Sequence, residues 1–428
     1  MEPNRSSGLL LHEGRISIGY RERAKDCLCR ITFDMNRDQY VLVDCLESLH
    51  ELLPPTFSAS EPFNMLLPGS SKPVEGYIAG SFTQTIVGGD PSVYVTLWTQ
   101  GPPSIERGNR LSRVQAVIVN LRQYRCGPGD EIHLSDGAWD FELTPVRNSS
   151  EYPSEIQNKS YLISHLLVLK RHDAHQFSWT QACKCLEAFC TFLSFCSERT
   201  VAPALVRGLD NSGEMIVQDL RTPRVDPFTE NVSWLDLYHG SAMMEVFPGF
   251  MRLMGNEEWR QAIHTAVYWY VRGNTNLIGP DGAVVLIQTA LERIAWHILV
   301  KVRHSVADYD FSALPAAAQF RLVLDSCSIP LALPSRLTKL TGVSKGKKGE
   351  KDWLDGPEAF VAVRNQIVHP VKRKRVSGGL MFYEALQLGK WYLELILLHS
   401  CGFAGNYACR LDIPICQGSV EPLPWAKS

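Results

Sequence analysis

Alternation of apolar and polar positions dominates the chain from about residue 13 to about residue 170, the two-residue period of half-buried strands. In CLCRITF, Cys27, Cys29, Ile31 and Phe33 alternate with Leu28, Arg30 and Thr32, after GRISIG and before QYVLVDCL. VEGYIAGSFTQTIV and SVYVTLWTQ flank GGDP, a hairpin signal, and IHLSDGAWDFEL carries another at Asp136 and Gly137. SRVQAVIVNLRQY and YLISHLLVL add further strands. Many strands at short intervals with little helical pattern between them predict an antiparallel β-sandwich-like or barrel-like domain over residues 1–172.

From about residue 173 the period lengthens. SWTQACKCLEAFCTFLSFCSE is amphipathic at helical spacing, PALVRGLDNSGEMIVQDL reads as two short strands joined at Asn211 to Gly213, and RTPRVDPFTENVSWLDLYHG reads as loop. These make a small α/β connecting domain over 173–256. Residues 257–405 then read as helix throughout, with Gly255 and Asn256 marking a break before them. Trp259, Ile263, Val267 and Tyr270 share a stripe, and DGAVVLIQTALERIAWHILVKVRH is apolar on most faces, as a central bundle helix would be. FSALPAAAQFRLVLDSC and LMFYEALQLGKWYLELILLHSC supply two more helices of an antiparallel bundle, and 406–428 is left as a tail. The predicted fold class is multidomain α+β.

Composition changes this picture little. Apolar residues at 45% and charged residues at 21% suit a globular, water-soluble chain. No window reaches the roughly 18 uncharged apolar residues of a membrane span, and the apolar run near the N-terminus is too short for a secretory signal, so a cytoplasmic location away from membranes is expected. The 12 cysteines form no C-x-x-C pair; Cys183, Cys185, Cys190 and Cys196 crowd one helical run and read as buried thiols rather than metal ligands. The motifs of P-loop nucleotide hydrolysis, dinucleotide binding and zinc proteolysis are absent.

Charge distribution is more informative. The net charge is −2, yet between Arg336 and Arg375 stand eleven Lys or Arg against four Asp or Glu. The excess includes Lys345, Lys347 and Lys348 in a glycine-rich stretch and Lys372, Arg373, Lys374 and Arg375 beyond Pro370. Such a concentration suits a polyanion such as RNA; a solvated basic loop is the plainer alternative.

Inside that basic region lies RNQIVH, Arg364 to His369. Asp355 is a plausible N-cap for the helix carrying it, Pro357 and Glu358 suit its first turn, and Pro370 should end it near His369. The helix dipole favours positive charge at that end. Asn365 and His369 share a face, whereas Arg364 lies roughly 140° around the axis from His369 at about 100° per residue. One phosphate meets both groups only if the helix loosens at its end or a second copy contributes, which predicts a dimer.

RNQIVHP resembles the R-x4-6-H motif of the HEPN superfamily, and the chain layout resembles its ApeA-like, abortive-infection branch in anti-phage defence. The resemblance covers mainly the last third of the chain. It implies a helical HEPN domain over 257–405, a homodimeric site, and metal-independent endoribonuclease activity that uses no cofactor. In that reading Arg364 binds the scissile phosphate, His369 moves a proton, and Asn365 steadies either one. Glu292, in a run similar to the branch's first helix, would orient His369 or pair with Arg364, or serve only in a structural ion pair. The 2′-hydroxyl of the RNA, tRNA being one candidate, would attack to leave a 2′,3′-cyclic phosphate. The β-rich domain would restrain the bundle until a phage-derived trigger arrives. Two other expectations stand beside this one: a non-catalytic RNA- or protein-binding module, and the toxin half of a toxin–antitoxin pair.

Overall fold

The computed structural model describes residues 8–34, 41–53, 60–66, 73–87, 90–100, 105–106, 108–146, 161–219, 224–274, 278–344, 353–369, 379–412 and 416–427. The chain divides into two compact units interleaved along the sequence. The first comprises 1–121, 138–186 and 201–229; the second comprises 122–137, 187–200 and 230–428. The fold is α+β, with an N-terminal antiparallel β region and a C-terminal helical region.

In the first unit the alternating segments become β1 (Gly8–Tyr20), β2 (Arg23–Asp34), β3 (Val41–Cys45), β4 (Phe63–Leu66), β5 (Val74–Val87) and β6 (Asp90–Gln100). They pair in the order β1-β2-β3-β6-β5-β4, and β4 pairs back onto β1. Of the sandwich-like and barrel-like forms expected, these six strands take the second, a closed barrel that leaves no strand edge unpaired, and not the sandwich. Cys27, Cys29, Ile31 and Phe33 are at most 3% exposed while Leu28 between them is 37% exposed, so the two-residue period sorts inside from outside. Ile16, Ile18, Val43, Phe63, Met65 and Leu97 complete much of the barrel interior.

Further strands are β7 (Ile105–Glu106), β8 (Arg113–Val119), β9 (Ile132–Ser135), β10 (Trp139–Pro145), β11 (Ile163–Arg171), β12 (Pro203–Leu209) and β13 (Met215–Asp219). Within the first unit the sheet order is β7-β13-β12-β8-β11-β10. β12 and β13 form the hairpin read from Asn211 to Gly213, where Gly213 takes φ +84°. Because β12 also pairs with β8, this hairpin extends the N-terminal sheet. Residues 173–256, expected as one connecting domain, are accordingly shared between the two units.

The second unit is built on helices. They are the C-terminal part of α1 (Trp179–Ser197), then α2 (Ser241–Met254), α3 (Glu257–Arg272), α4 (Gly279–Trp296), α5 (Asp308–Ala313), α6 (Ala316–Ser326), α7 (Thr338–Ser344), α8 (Gly356–Val368) and α9 (Gly379–Cys401). Asn256 caps α3 by accepting from the Glu258 and Trp259 amides at 3.0 and 3.1 Å, which makes the predicted break a true helix start. Pro315 divides the run expected as one helix into α5 and α6, since it offers no amide to continue the ladder. α4 runs on through a π-helical turn, His297–Val302. Gly279–Val302 is long and apolar enough to cross a membrane by composition, and 67% of its most apolar window is buried, as in a core helix. Phe192, Phe195, Trp234, Phe247 and Phe250 pack ring to ring in the interior. The stretch after Gly405, expected as a tail, contributes Tyr407, Arg410, Leu411 and Leu423 to that interior, each at most 2% exposed.

Candidate active site on the motif helix

α8 starts where its sequence dictates. The Asp355 carboxylate accepts from the Glu358 amide at 2.9 Å, Pro357 occupies the first turn, and the Glu358 carboxylate accepts from the Leu354 amide at 2.8 Å. Asp355 also receives the Arg321 guanidinium, with Nη2 3.0 Å from Oδ1, tying the helix start to α6. The buried face of α8, Ala359, Phe360 and Val363, packs toward α4, α6 and α9. Gly389 of α9 admits Phe360: a Cβ there would stand 2.5 Å from the phenyl Cε2.

The opposite face carries the candidate chemistry. Asn365 and His369 are exposed, and Arg364 is half-buried. Arg364 Nη1 donates to Asn365 Oδ1 at 3.3 Å, while its Nε is buried with no hydrogen-bond partner among the described residues. No carboxylate pairs with Arg364 among the described residues, so its charge is left available. His369 leaves the helix at φ −117°, ψ 91°, with its amide still donating to the Asn365 carbonyl at 2.8 Å. The structure therefore brings Asn365 to both ends of the motif, to Arg364 through its side chain and to His369 through its backbone. Among the described residues no hydrogen bond joins Arg364 to His369 directly.

Glu292 is half-buried on α4, which packs against α8, but its Oε1 accepts from Gln288 Nε2 at 2.7 Å. No described contact joins it to Arg364 or His369. Its neighbour Arg293 lies over the Trp296 ring, 4.9 Å from the centroid. Lys345, Lys347, Lys348, Lys372, Arg373, Lys374 and Arg375 fall outside the described residues. Cys185 and Cys196 are buried and Cys183 and Cys190 are half-buried; among the described residues no group of three or more His, Cys, Asp or Glu is placed to hold a metal ion.

Sequence reasoning missed a second polar constellation, inside the second unit. Glu198, Lys390, Glu394 and Arg410 are each at most 2% exposed. Lys390 Nζ lies 2.6 Å from Glu198 Oε1 and donates to Asn274 Oδ1 at 3.0 Å. Arg410 Nε donates to Glu394 Oε2 at 2.8 Å, Nη1 to Gln387 Oε1 at 2.9 Å, and Nη2 to the Val232 carbonyl at 2.8 Å. The Tyr270 hydroxyl donates to Glu394 Oε1. Glu198 adopts φ +52°, and its carbonyl accepts from Asn231 and Asn274 at 3.0 and 3.1 Å. Burial pushes the Glu394 carboxyl up and the Lys390 ammonium down; burial also works against the Arg410 guanidinium, but Glu198 and Glu394 outweigh it and hold that group charged. Two carboxylates face two cations, and the donors are engaged, as buried charge requires. The signal was present in α9: Lys390 and Glu394 stand four apart inside an otherwise apolar run and had to find partners.

Residues 106–231 match the family model described as the YopA central domain, and residues 256–421 match that described as the YopA C-terminal domain. The chain is similar to YopA. Over 266 residues it is 29% identical to an SPbeta prophage-derived uncharacterized protein YopA of Bacillus subtilis (strain 168), covering 62% of this chain and 58% of that protein. The chain thus spans just over half the length of this YopA relative. No solved structure matches. The YopA C-terminal match contains the motif helix and all of Lys390, Glu394 and Arg410, whereas the barrel strands β1 to β6 precede both YopA matches. The HEPN resemblance of RNQIVHP rests on the motif and its helix alone.

Proposed function

We propose that the chain is a metal-independent endoribonuclease of the HEPN kind, with Arg364, Asn365 and His369 as its working groups. One observation carries this reading. Arg364 and the exposed His369 stand at the end of one helix, and no carboxylate among the described residues neutralises the arginine, while other arginines of the same unit, Arg321, Arg336 and Arg410, are spent on acids. An unpaired guanidinium is the group suited to a bidentate grip on phosphate, and an imidazole at the helix end is suited to proton transfer.

In the proposed reaction the scissile phosphate docks on Arg364, and the ribose 2′-hydroxyl attacks it. His369 protonates the departing 5′ oxygen or takes the 2′ proton, and Asn365 fixes the relation between the other two. Val368, at the end of α8 beside His369, is an apolar side chain left 40% exposed, which supports pairing with a second copy there. In that dimer the arginine of one copy and the histidine of its partner would meet one phosphate. The prophage origin in the relative's name supports an association with phage; a role in conflict between phage and host, in the cytoplasm, with a phage-derived trigger acting through the β-rich unit, is the rest of the proposal.

The experiment is incubation of the purified chain with total RNA, tRNA included, in excess chelator, with the ends mapped. The expected products carry 2′,3′-cyclic phosphates, and His369→Ala and Arg364→Ala should each lower cleavage by about a hundredfold or more. Cleavage that stops on adding chelator, or that persists in the doubly substituted chain, overturns the reading.

A further inference from the structure

Away from the motif helix, the first unit holds an open groove of about 370 Å³, a size that suits a small ligand. Its floor is the outward face of the sheet, where Val117 of β8 pairs with Leu166 of β11 and Gln115 with Val168. Leu10 and Leu11 of β1 form one wall, and Leu205 and Arg207 of β12 form the other. Leu10 and Leu166, both in the lining, are 54% and 51% exposed, so the groove presents apolar surface to solvent.

The walls are irregular where they meet the groove. Pairing of β1 with β2 slips between Leu10 and His12, leaving Leu11 as the extra residue. Pairing of β12 with β8 slips between Ala204 and Arg207, and there Leu205 takes φ +53°, a left-handed conformation costly for a side chain branched beyond Cβ. Bulges of this sort re-aim side chains and recur beside binding sites.

The groove also has a charged end. Arg207 lines that end and stands opposite Gln115, whereas Arg113, two residues along β8, turns its guanidinium toward the hairpin, with Nη2 3.7 Å from where a Gly213 Cβ would stand. Arg207 is exposed, and its guanidinium has no hydrogen bond or ion pair among the described residues. Lys170 on β11, by contrast, is tied to Glu142. The lining is aliphatic, with no aromatic ring.

We propose that this groove binds a medium-chain aliphatic carboxylate. The chain lies along Leu10, Val117 and Leu166, and the carboxylate is held by the Arg207 fork beside Gln115. A planar acceptor with two oxygens matches the guanidinium fork, and the unbranched tail matches a trough of leucine and valine. This site is independent of the ribonuclease reading.

Decanoate, titrated calorimetrically into the full chain below its micellar threshold, should saturate one site. Arg207→Gln and Arg207→Glu should each weaken it about tenfold or more, Leu166→Lys should abolish it, and decanol and decyltrimethylammonium should bind at least tenfold more weakly. Both substituted positions are exposed, so folding is expected to survive and is checked by circular dichroism. Absence of saturable binding overturns the proposal, as does equal affinity for decanol or indifference to the arginine substitutions. Tighter binding of an acidic, leucine-rich peptide than of decanoate also overturns it, in favour of a protein segment.

Discussion

His165 lies in β11 with no exposed surface, and neither ring nitrogen has a hydrogen-bond partner among the described residues. Burial holds its pKa down to about 4 from an ordinary 6.5. Between these values the unfolded chain takes a proton that the folded chain refuses, so the stability conferred is present above pH 6.5 and lost as pH falls toward 4. The shift corresponds to about 3 kcal/mol. Urea unfolding at intervals across this range should show stability declining toward acid, and His165→Leu should flatten that decline; a parallel curve in the variant would remove His165 as its source. The sequence placed His165 in the strand-forming run YLISHLLVL, and it stands in that strand. What it did not display was the absence of any hydrogen-bonding neighbour, because that depends on three strands meeting.

At the scale of elements, the motif helix is held from behind by a missing side chain. Gly389 lets Phe360 lie against α9, and a methyl group there would intrude to 2.5 Å of the ring. Gly389→Ala should therefore cost about 1–3 kcal/mol as Phe360 and α8 shift outward. If α8 carries the nuclease chemistry, cleavage should fall with it even at temperatures where the variant is folded, measured against thermal unfolding of the same sample. Element boundaries were legible where a local rule sufficed. Asp355 and Asn256 cap helices, the β5–β6 and β12–β13 hairpins turn where glycines and asparagine invited it, and Cys27 to Phe33 alternate as a strand must. Barrel closure was not legible, because β1 meets β4 only through pairs such as Tyr20 with Phe63, far apart in the chain. At the site, the helix end at His369 followed from Pro370 and the i, i+4 spacing, while the engagement of Glu292 by Gln288 was one of several pairings the spacing permitted.

For the molecule as a whole, the buried group of Glu198, Lys390, Glu394 and Arg410 ties together segments nearly the full length of the second unit apart. Arg410→Met leaves two buried carboxylates against one ammonium and should destabilise that unit by about 3–5 kcal/mol. Adding Glu394→Gln should restore part of the loss, so that the double variant is less unstable than the sum of the singles; strict additivity in guanidinium unfolding would show that the two side chains are not coupled. Arg410 follows α9 in the chain, so during synthesis Glu198 and Glu394 wait for a counter-charge until almost all of the unit has been made. A polypeptide that stops short of Arg410 thus leaves Glu394 without its guanidinium, and this interior can close with its charges balanced only once the chain is nearly finished.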